Sequence, residues 1–254
     1  MHVLVTGLSG TLGPRLAHKA AALGWRVSGW DRRAVPADDS DPARRELDRL
    51  RPDAIAHLAI GSTPWAALLA RHARDNAAHL LFTSTAMVFD HDPDGPHDVA
   101  AARTARDDYG RGKIACEDAI LAACPRASIA RLGWQIDETA TGNNMLAELD
   151  RWQRRDGRVR ASACWTPACS FMDDTCTALL DLIATRRSGT VHLDSNAVQA
   201  WRFDQIVRAL KSHCARDWVV EVDRSEHAYR HDQRLVGGTT ALPPLSGRLP
   251  ELVE

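Results

Sequence analysis

The stretch that most constrains this chain is its first, MHVLVTGLSGTLGPRLAHKAA, from Met1 to Ala21. Val3, Leu4 and Val5 form a short apolar run, mostly β-branched, which predicts a buried strand. Gly7, Gly10 and Gly13 follow at G-x-x-G-x-x-G spacing, one residue longer at the start than the common dinucleotide fingerprint. From Leu12 onward, Leu16 and Ala20 begin a helical pattern. Strand, glycine turn and helix N-terminus in that order make an anion-binding corner, because free backbone N–H groups and the positive end of the helix dipole point at the same place. Gly7 suits the tight turn, Gly10 the close approach of a pyrophosphate, and Gly13 close packing of helix on strand.

The rest of the chain alternates strands with helices. Gly24 closes the first helix as a C-cap and Trp25–Trp30 reads as a second strand. Asp31 follows at once. An acid at that strand end can bind both adenine ribose hydroxyls, although Asp is also an ordinary turn residue there. Arg32 and Arg33 suit a 2′-phosphate instead, so the choice between NAD and NADP stays open. A helix is predicted from Pro42 to Leu50, behind Asp39-Ser40-Asp41. Ala54–Ile60 is a nearly continuous apolar run, as in a parallel strand covered on both faces. Its His57 reads as a core histidine. A helix over Pro64–Asn76 and a strand over Leu80–Thr83 follow, the latter ending in Ser84-Thr85. HDPDGPH, His91–His97, is a polar loop that reads equally as a lid or as plain surface. Further on come a helix from Tyr109 to Ala123, a strand over Ser128–Leu132, a helix over Asn143–Arg154, one within Ser170–Thr185, a strand over Gly189–Leu193 and a helix over Trp201–Cys214. Beyond Asp223 the pattern weakens. Alternation of this kind implies βαβ units, hence a doubly wound parallel α/β sheet of the Rossmann type, with ligands at the carboxyl ends of its strands.

Composition excludes some functions. A formal charge of −1 argues against a nucleic acid polymer as partner. The cysteines, at 116, 124, 164, 169, 176 and 214, form no C-x-x-C pair, and no metal set emerges from their spacing. Cys164 and Cys169 are the pair that a disulfide could join. No apolar run is long enough to cross a membrane and no signal peptide is read, so the expectation is a cytoplasmic protein with reduced thiols.

The sharpest chemical signal is Tyr109 and Lys113, four residues apart and so on one helix face. A cation beside a phenol favours phenolate and is expected to lower its pKa from about 10. That suits a proton donor in ketone reduction, or a base in the reverse. A hydroxyl from Ser84 or Thr85 at the preceding strand end can orient the carbonyl.

These segments together resemble a known family. MHVLVTGLSGTLG, GWDRRAVPADDSDP, RPDAIAHLA, STAMVFD, YGRGKIACED, ARLGWQ, GNNM and SFMDDTCTALLDLI are similar to motifs of the extended short-chain dehydrogenase/reductases, in the NAD-dependent epimerase/dehydratase superfamily. Within it they resemble the dTDP-4-dehydrorhamnose reductase branch. The resemblance covers most of residues 1–215 and thins beyond. It implies Thr85, Tyr109 and Lys113 as the catalytic set. It implies NAD(P)(H) contacts from Gly7, Ser9, Gly10, Thr11, Leu12, Gly13, Asp31, Arg32, Asp39, Ser40, Leu58, Ala59, Ile60, Ser84, Tyr109, Lys113 and Leu132. Substrate contacts fall to Thr85, Trp134, Asn143 and Asn144, with Gly133 beside them and Asp174 structural. The implied activity is hydride reduction of a keto group on a nucleotide-sugar or related small molecule; a non-catalytic NAD(P)-binding protein and a sugar-nucleotide epimerase are the other readings of the scaffold. The expected division is a dinucleotide-binding domain over 1–134, to which 173–194 returns, and a small substrate lobe over 135–172 and 195–254. A homodimer is also implied. The chain departs from the family at Ala86-Met87, where Asp-Tyr is usual, and at Cys169-Ser170, where Pro-Thr is usual. It is also short over 61–79, where the family's helical asparagine has no secure match.

Overall fold

The computed structural model describes residues 1–139, 142–238 and 241–252. The first half runs β1 (His2–Thr6), α1 (Gly13–Ala22), β2 (Arg26–Gly29), α2 (Ser40–Leu50), β3 (Ala54–His57), α3 (Thr63–Asp75), β4 (His79–Thr85), α4 (Asp108–Ala123) and β5 (Ser128–Leu132). The second half runs β6 (Trp134–Ile136), α5 (Met145–Asp156), β7 (Val159–Ser162), β8 (Trp165–Thr166), β9 (Cys169–Phe171), α6 (Met172–Ala184), β10 (Gly189–Leu193), α7 (Phe203–His213), β11 (Val220–Asp223) and β12 (His231–Asp232).

Six strands form one parallel sheet in the order β10-β5-β4-β3-β1-β2. Strand direction of growth reverses between β1 and β3, and a crevice opens at such a switch point beyond the carboxyl ends. The registers Thr6 with His57 and Thr85 with Leu132 put those ends level. Alternate residues of each strand face opposite layers. Leu4, Ile55, Leu80, Phe82 and Ile129 pack against Trp65 and Leu69 of α3 and Ile120 of α4. Val3, Val5, Ala54, Ala56, Leu81 and Ala130 pack against Leu16 and Ala20 of α1 and Leu179 and Ile183 of α6. Strands covered on both faces lose the polar alternation of a half-exposed sheet, which is why they read as continuous apolar runs.

The doubly wound parallel sheet matches the expectation, and most boundaries lie within a few residues of it. Two differences stand out. The run Ala54–Ile60 leaves the sheet after His57, the last of its residues paired with β1 and β4. The helix within Ser170–Thr185 begins at Met172, behind Cys169–Phe171, which pairs with β6. The strands β6 to β9, β11 and β12 span two to four residues each, too short to show a period. Several of them surround a further hydrophobic core that joins Met145 and Leu149 of α5, Val159, Phe171, Phe203 and Leu210 of α7, and Leu245 near the C-terminus. All six cysteines are free, Cys164 and Cys169 included. No helix among the described residues is long and apolar enough to cross a membrane.

Candidate active site

A cavity of about 530 Å³ opens at the carboxyl edge of the sheet. Its walls bring together Leu58 and Ile60 after β3, Thr83, Ser84 and Thr85 of β4, Tyr109 and Lys113 of α4, Leu132, Trp134 and Asn143. Residues far apart in sequence meet here because β3, β4 and β5 are neighbours that end level.

Thr85 closes β4 and caps the short 3-10 turn Ala86–Phe89. Its hydroxyl oxygen accepts from the Met87 N–H at 3.2 Å. That contact leaves the hydroxyl proton for donation into the cavity. The Tyr109 phenol shares a hydrogen bond with Thr85, which pulls its pKa down. Burial outweighs this and raises it above the usual tyrosine value, with Asp107 adding to the rise. Lys113 does not stand beside the phenol as its spacing suggested. It donates to the Thr83 carbonyl at 2.8 Å and lies over the Phe82 ring at 4.6 Å, with the Tyr109 ring centroid 5.9 Å away. The expected lowering of the tyrosine pKa is therefore corrected: with the ammonium turned to a carbonyl, burial decides the direction. Burial also lowers Lys113 to about 8, against smaller opposing effects of Cys116 and Glu117.

One turn beyond Lys113 on α4, Glu117 is buried and takes two bonds from Arg131 of β5, at 3.0 and 2.8 Å. Arg103 adds a third at 3.2 Å. Burial opposes the Glu117 charge, but Arg131 more than compensates and its pKa stays below the usual range, with help from the Ser84 hydroxyl. Ser84 lines the cavity, yet its hydroxyl is itself buried on the Glu117 side and presents no surface to a ligand. Burial lowers His57 to about 3, with Lys113 and Arg32 adding to the effect, so it is neutral; its Nδ1 is 2.8 Å from the Thr6 hydroxyl.

The glycine corner fits a pyrophosphate. Gly7 has φ +85°, and a Cβ there would lie 3.0 Å from the Ala59 nitrogen. A Cβ on Gly13 would come within 2.2 Å of the Gly7 carbonyl oxygen. Helix α1 has no side-chain cap and no acid in its first turn, so its positive end is left to a ligand. Ser9, Thr11 and Leu12 lie on this turn. The Thr11 hydroxyl accepts from the Asn143 N–H at 3.3 Å, tying the corner to the segment just before α5. Asp31 and Arg32 are exposed beyond β2. Asp31 accepts from the Arg33 N–H at 2.9 Å, forming the strand-end turn, and Arg32 donates to the Ile60 carbonyl at 3.1 Å. Asp39 precedes α2 and Ser40 is its first residue, both exposed. Asp38 beside them accepts from Ser62, the cap of α3.

Asn144 stands apart from its expected neighbours. It is fully buried as the cap of α5, accepting from the Ala147 N–H at 3.0 Å, while Asn143 alone of the pair reaches the cavity. Asp174 binds Arg248 through both oxygens, at 2.8 and 2.6 Å, a structural role. Sequence reasoning missed Met87, Gln135, Trp165, Ala168, Tyr229 and Gln233 on the cavity wall. A weak signal existed for one of them, since Tyr229 is the only tyrosine besides Tyr109.

The family model described as the RmlD substrate binding domain matches residues 62–227. The chain belongs to that family. The dTDP-4-dehydrorhamnose reductase of Mycobacterium tuberculosis is 29% identical over 238 residues, which cover 85% of this chain and 76% of that protein. Among solved structures, dTDP-4-dehydrorhamnose reductase from Bacillus anthracis in complex with NADP aligns with a TM-score of 0.82 at 19% identity, covering 98% of this chain and 96% of the other. The Bordetella bronchiseptica enzyme WbmH in complex with NAD+ aligns at 0.76 and 16%, covering 98% and 95%. The fold of this RmlD-family chain is thus that of the extended short-chain dehydrogenase/reductases its motifs resembled.

Proposed function

We propose that this chain is an NAD(P)-dependent reductase of a keto group on a nucleotide-sugar. The observation that carries the reading is the meeting of Thr85, Tyr109 and Lys113 on one cavity wall, beside a glycine corner shaped for a pyrophosphate, in a chain of the RmlD family. Gly7, Ser9, Gly10, Thr11, Leu12 and Gly13 would hold the pyrophosphate. Asp31, Arg32, Asp39 and Ser40 flank the place for the adenosine half; Leu58, Ala59, Ile60 and Leu132 flank the nicotinamide half. Asp31 suits ribose hydroxyls and Arg32 a phosphate, so both dinucleotides are candidates. The smaller lobe, residues 135–172 and 195–254, is assigned to the sugar nucleotide, with Trp134 and Asn143 at its mouth.

A reduced nicotinamide, when bound, supplies the hydride. Tyr109 donates the proton that converts the carbonyl oxygen to a hydroxyl. Thr85 donates a hydrogen bond to the same oxygen, and its own acceptance from Met87 fixes the direction. Lys113, 5.9 Å from the Tyr109 ring centroid, supplies positive charge to this side of the cavity, where it would hold the nicotinamide ribose. Burial keeps Tyr109 protonated before the step, which suits an acid in reduction.

The test is direct. Titrating NADH and NADPH against tryptophan fluorescence should show quenching, because Trp134 and Trp165 line the cavity. Oxidation of the bound dinucleotide by dTDP-4-dehydrorhamnose should follow. Tyr109→Phe should retain dinucleotide affinity within about twofold and lose at least about a hundredfold in turnover, the range of general acid catalysis. Full turnover by that variant would refute the assignment.

A further inference from the structure

Gln233 lies in the C-terminal segment where the helix and strand pattern fades, yet it is 9% exposed and reaches the cavity wall. Its backbone is fixed by the N–H, which donates to the Thr166 carbonyl at 2.9 Å. Its amide oxygen accepts the Trp165 indole N–H at 2.8 Å. An indole nitrogen only donates, so this bond settles which end of the amide is oxygen. The Nε2 group is therefore turned the other way. There its acceptors among the described residues are distant, the Asp90 carboxylate at 3.5 Å and the Met87 sulfur at 3.9 Å. Both lie at or beyond the limit of a useful hydrogen bond. A donor held this weakly at a cavity wall keeps its capacity to bond a ligand acceptor. The neighbouring wall beside Thr85 is apolar, made by Ala86, Met87 and Ala168.

We infer that Gln233 is a specificity-determining residue whose Nε2 donates to a ring hydroxyl of the sugar while its oxygen stays on Trp165. The inference rests on the reductase reading and adds to it which side chain reads the sugar. A site built to bond a hydroxyl rejects the analogue lacking it far more strongly than an apolar wall would. Trp165 acts through Gln233 here: its indole holds the amide in the donating orientation.

Gln233→Glu separates this from a structural role. The carboxylate still accepts the Trp165 N–H and has nothing to donate at neutral pH. Steady-state oxidation of NADPH would be followed with dTDP-4-dehydrorhamnose and with its 2-deoxy and 3-deoxy counterparts. The expected result is a KM about tenfold higher or more in Gln233→Glu, with kcat and NADPH affinity close to the parent. In the parent chain, one deoxy counterpart should show the same rise in KM. Combined with Gln233→Glu, that counterpart should show no further rise, because the two changes remove one bond. Gln233→Leu, compared on the same substrates, serves if a carboxylate beside Asp90 unsettles the fold. A parental KM in Gln233→Glu, or fully additive losses in the combination, overturns the inference. Absence of turnover by the parent chain refutes the reductase reading instead, so the two failures are distinct.

Discussion

Burial opposes ionisation of both Tyr109 and Lys113, and the consequences differ. Raising the phenol keeps it protonated and ready to donate; lowering the ammonium to about 8 brings its loss of charge into the working range. Lys113 carries its charge below that value and loses it above. The kcat/KM for ketone reduction, which reports the free enzyme, should therefore fall as pH rises through about 8. Tyr109 cannot cause such a fall, since its own ionisation lies higher. A pH–rate profile level to pH 10 would show that the lysine charge is not needed.

At the scale of elements, the site depends on how rigidly α1 and α4 are set against the sheet. The Glu117–Arg131 pair clamps α4 to β5 behind the catalytic side chains, with Arg131 also donating to the Val99 carbonyl at 3.1 Å and lying over the Phe89 ring. Breaking a buried pair of this kind leaves an uncompensated charge, so the clamp resists rotation of the helix that carries Tyr109 and Lys113. The corner before α1 is held by the Gly10 N–H, which donates to the Gly7 carbonyl at 2.9 Å, and by close backbone contact. Gly13→Ala places a methyl 2.2 Å from the Gly7 carbonyl, and backbone rather than a flexible side chain has to move. The expected effect is a loss of about 1–3 kcal/mol in stability, as for overpacking elsewhere. Dinucleotide affinity should drop at the same time. Thermal melts and NADPH titrations of that variant check both.

For the molecule as a whole, buried histidines set the acid limit. Burial lowers His57 to about 3 and His79 and His192 to about 4, and it also lowers His2, His97 and His231. A histidine whose folded pKa is depressed contributes stability above its unfolded value near 6.5 and loses it as pH falls toward the folded value. Asp194 works in the opposite sense. Burial raises it to about 7, so its contribution is present at low pH and lost as pH rises from 3.8 toward 7. Several histidines against one aspartate should make acid the destabilising direction. The melting temperature should fall by on the order of 10 °C between pH 6.5 and 4. A melting temperature unchanged over that interval would contradict the burial of these rings.

Local pattern was enough for the parallel sheet, the glycine corner and the helix with Tyr109 and Lys113. Each rests on neighbours within a few residues: apolar runs for strands buried on both faces, glycine before a helix start, a spacing of one helical turn. Through the family's motifs, Thr85, Leu58, Ile60, Leu132, Trp134 and Asn143 were also legible, and the cavity gathers them. Tertiary structure alone decided the rest. Lys113 turned to Thr83 because a carbonyl thirty residues away in sequence lay in reach. Asn144 went to a helix cap while Asn143 reached the cavity, a difference of one residue that no motif resolves. Gln233 entered the wall because β12 pairs with β8 on one side, while Asp232 and His97 bond to Pro93 and Arg234 on the other. Those pairings are only a residue or two long and join distant segments, so they leave no periodicity in the chain. They form where tertiary structure brings unpaired backbone groups of these distant segments within reach of one another.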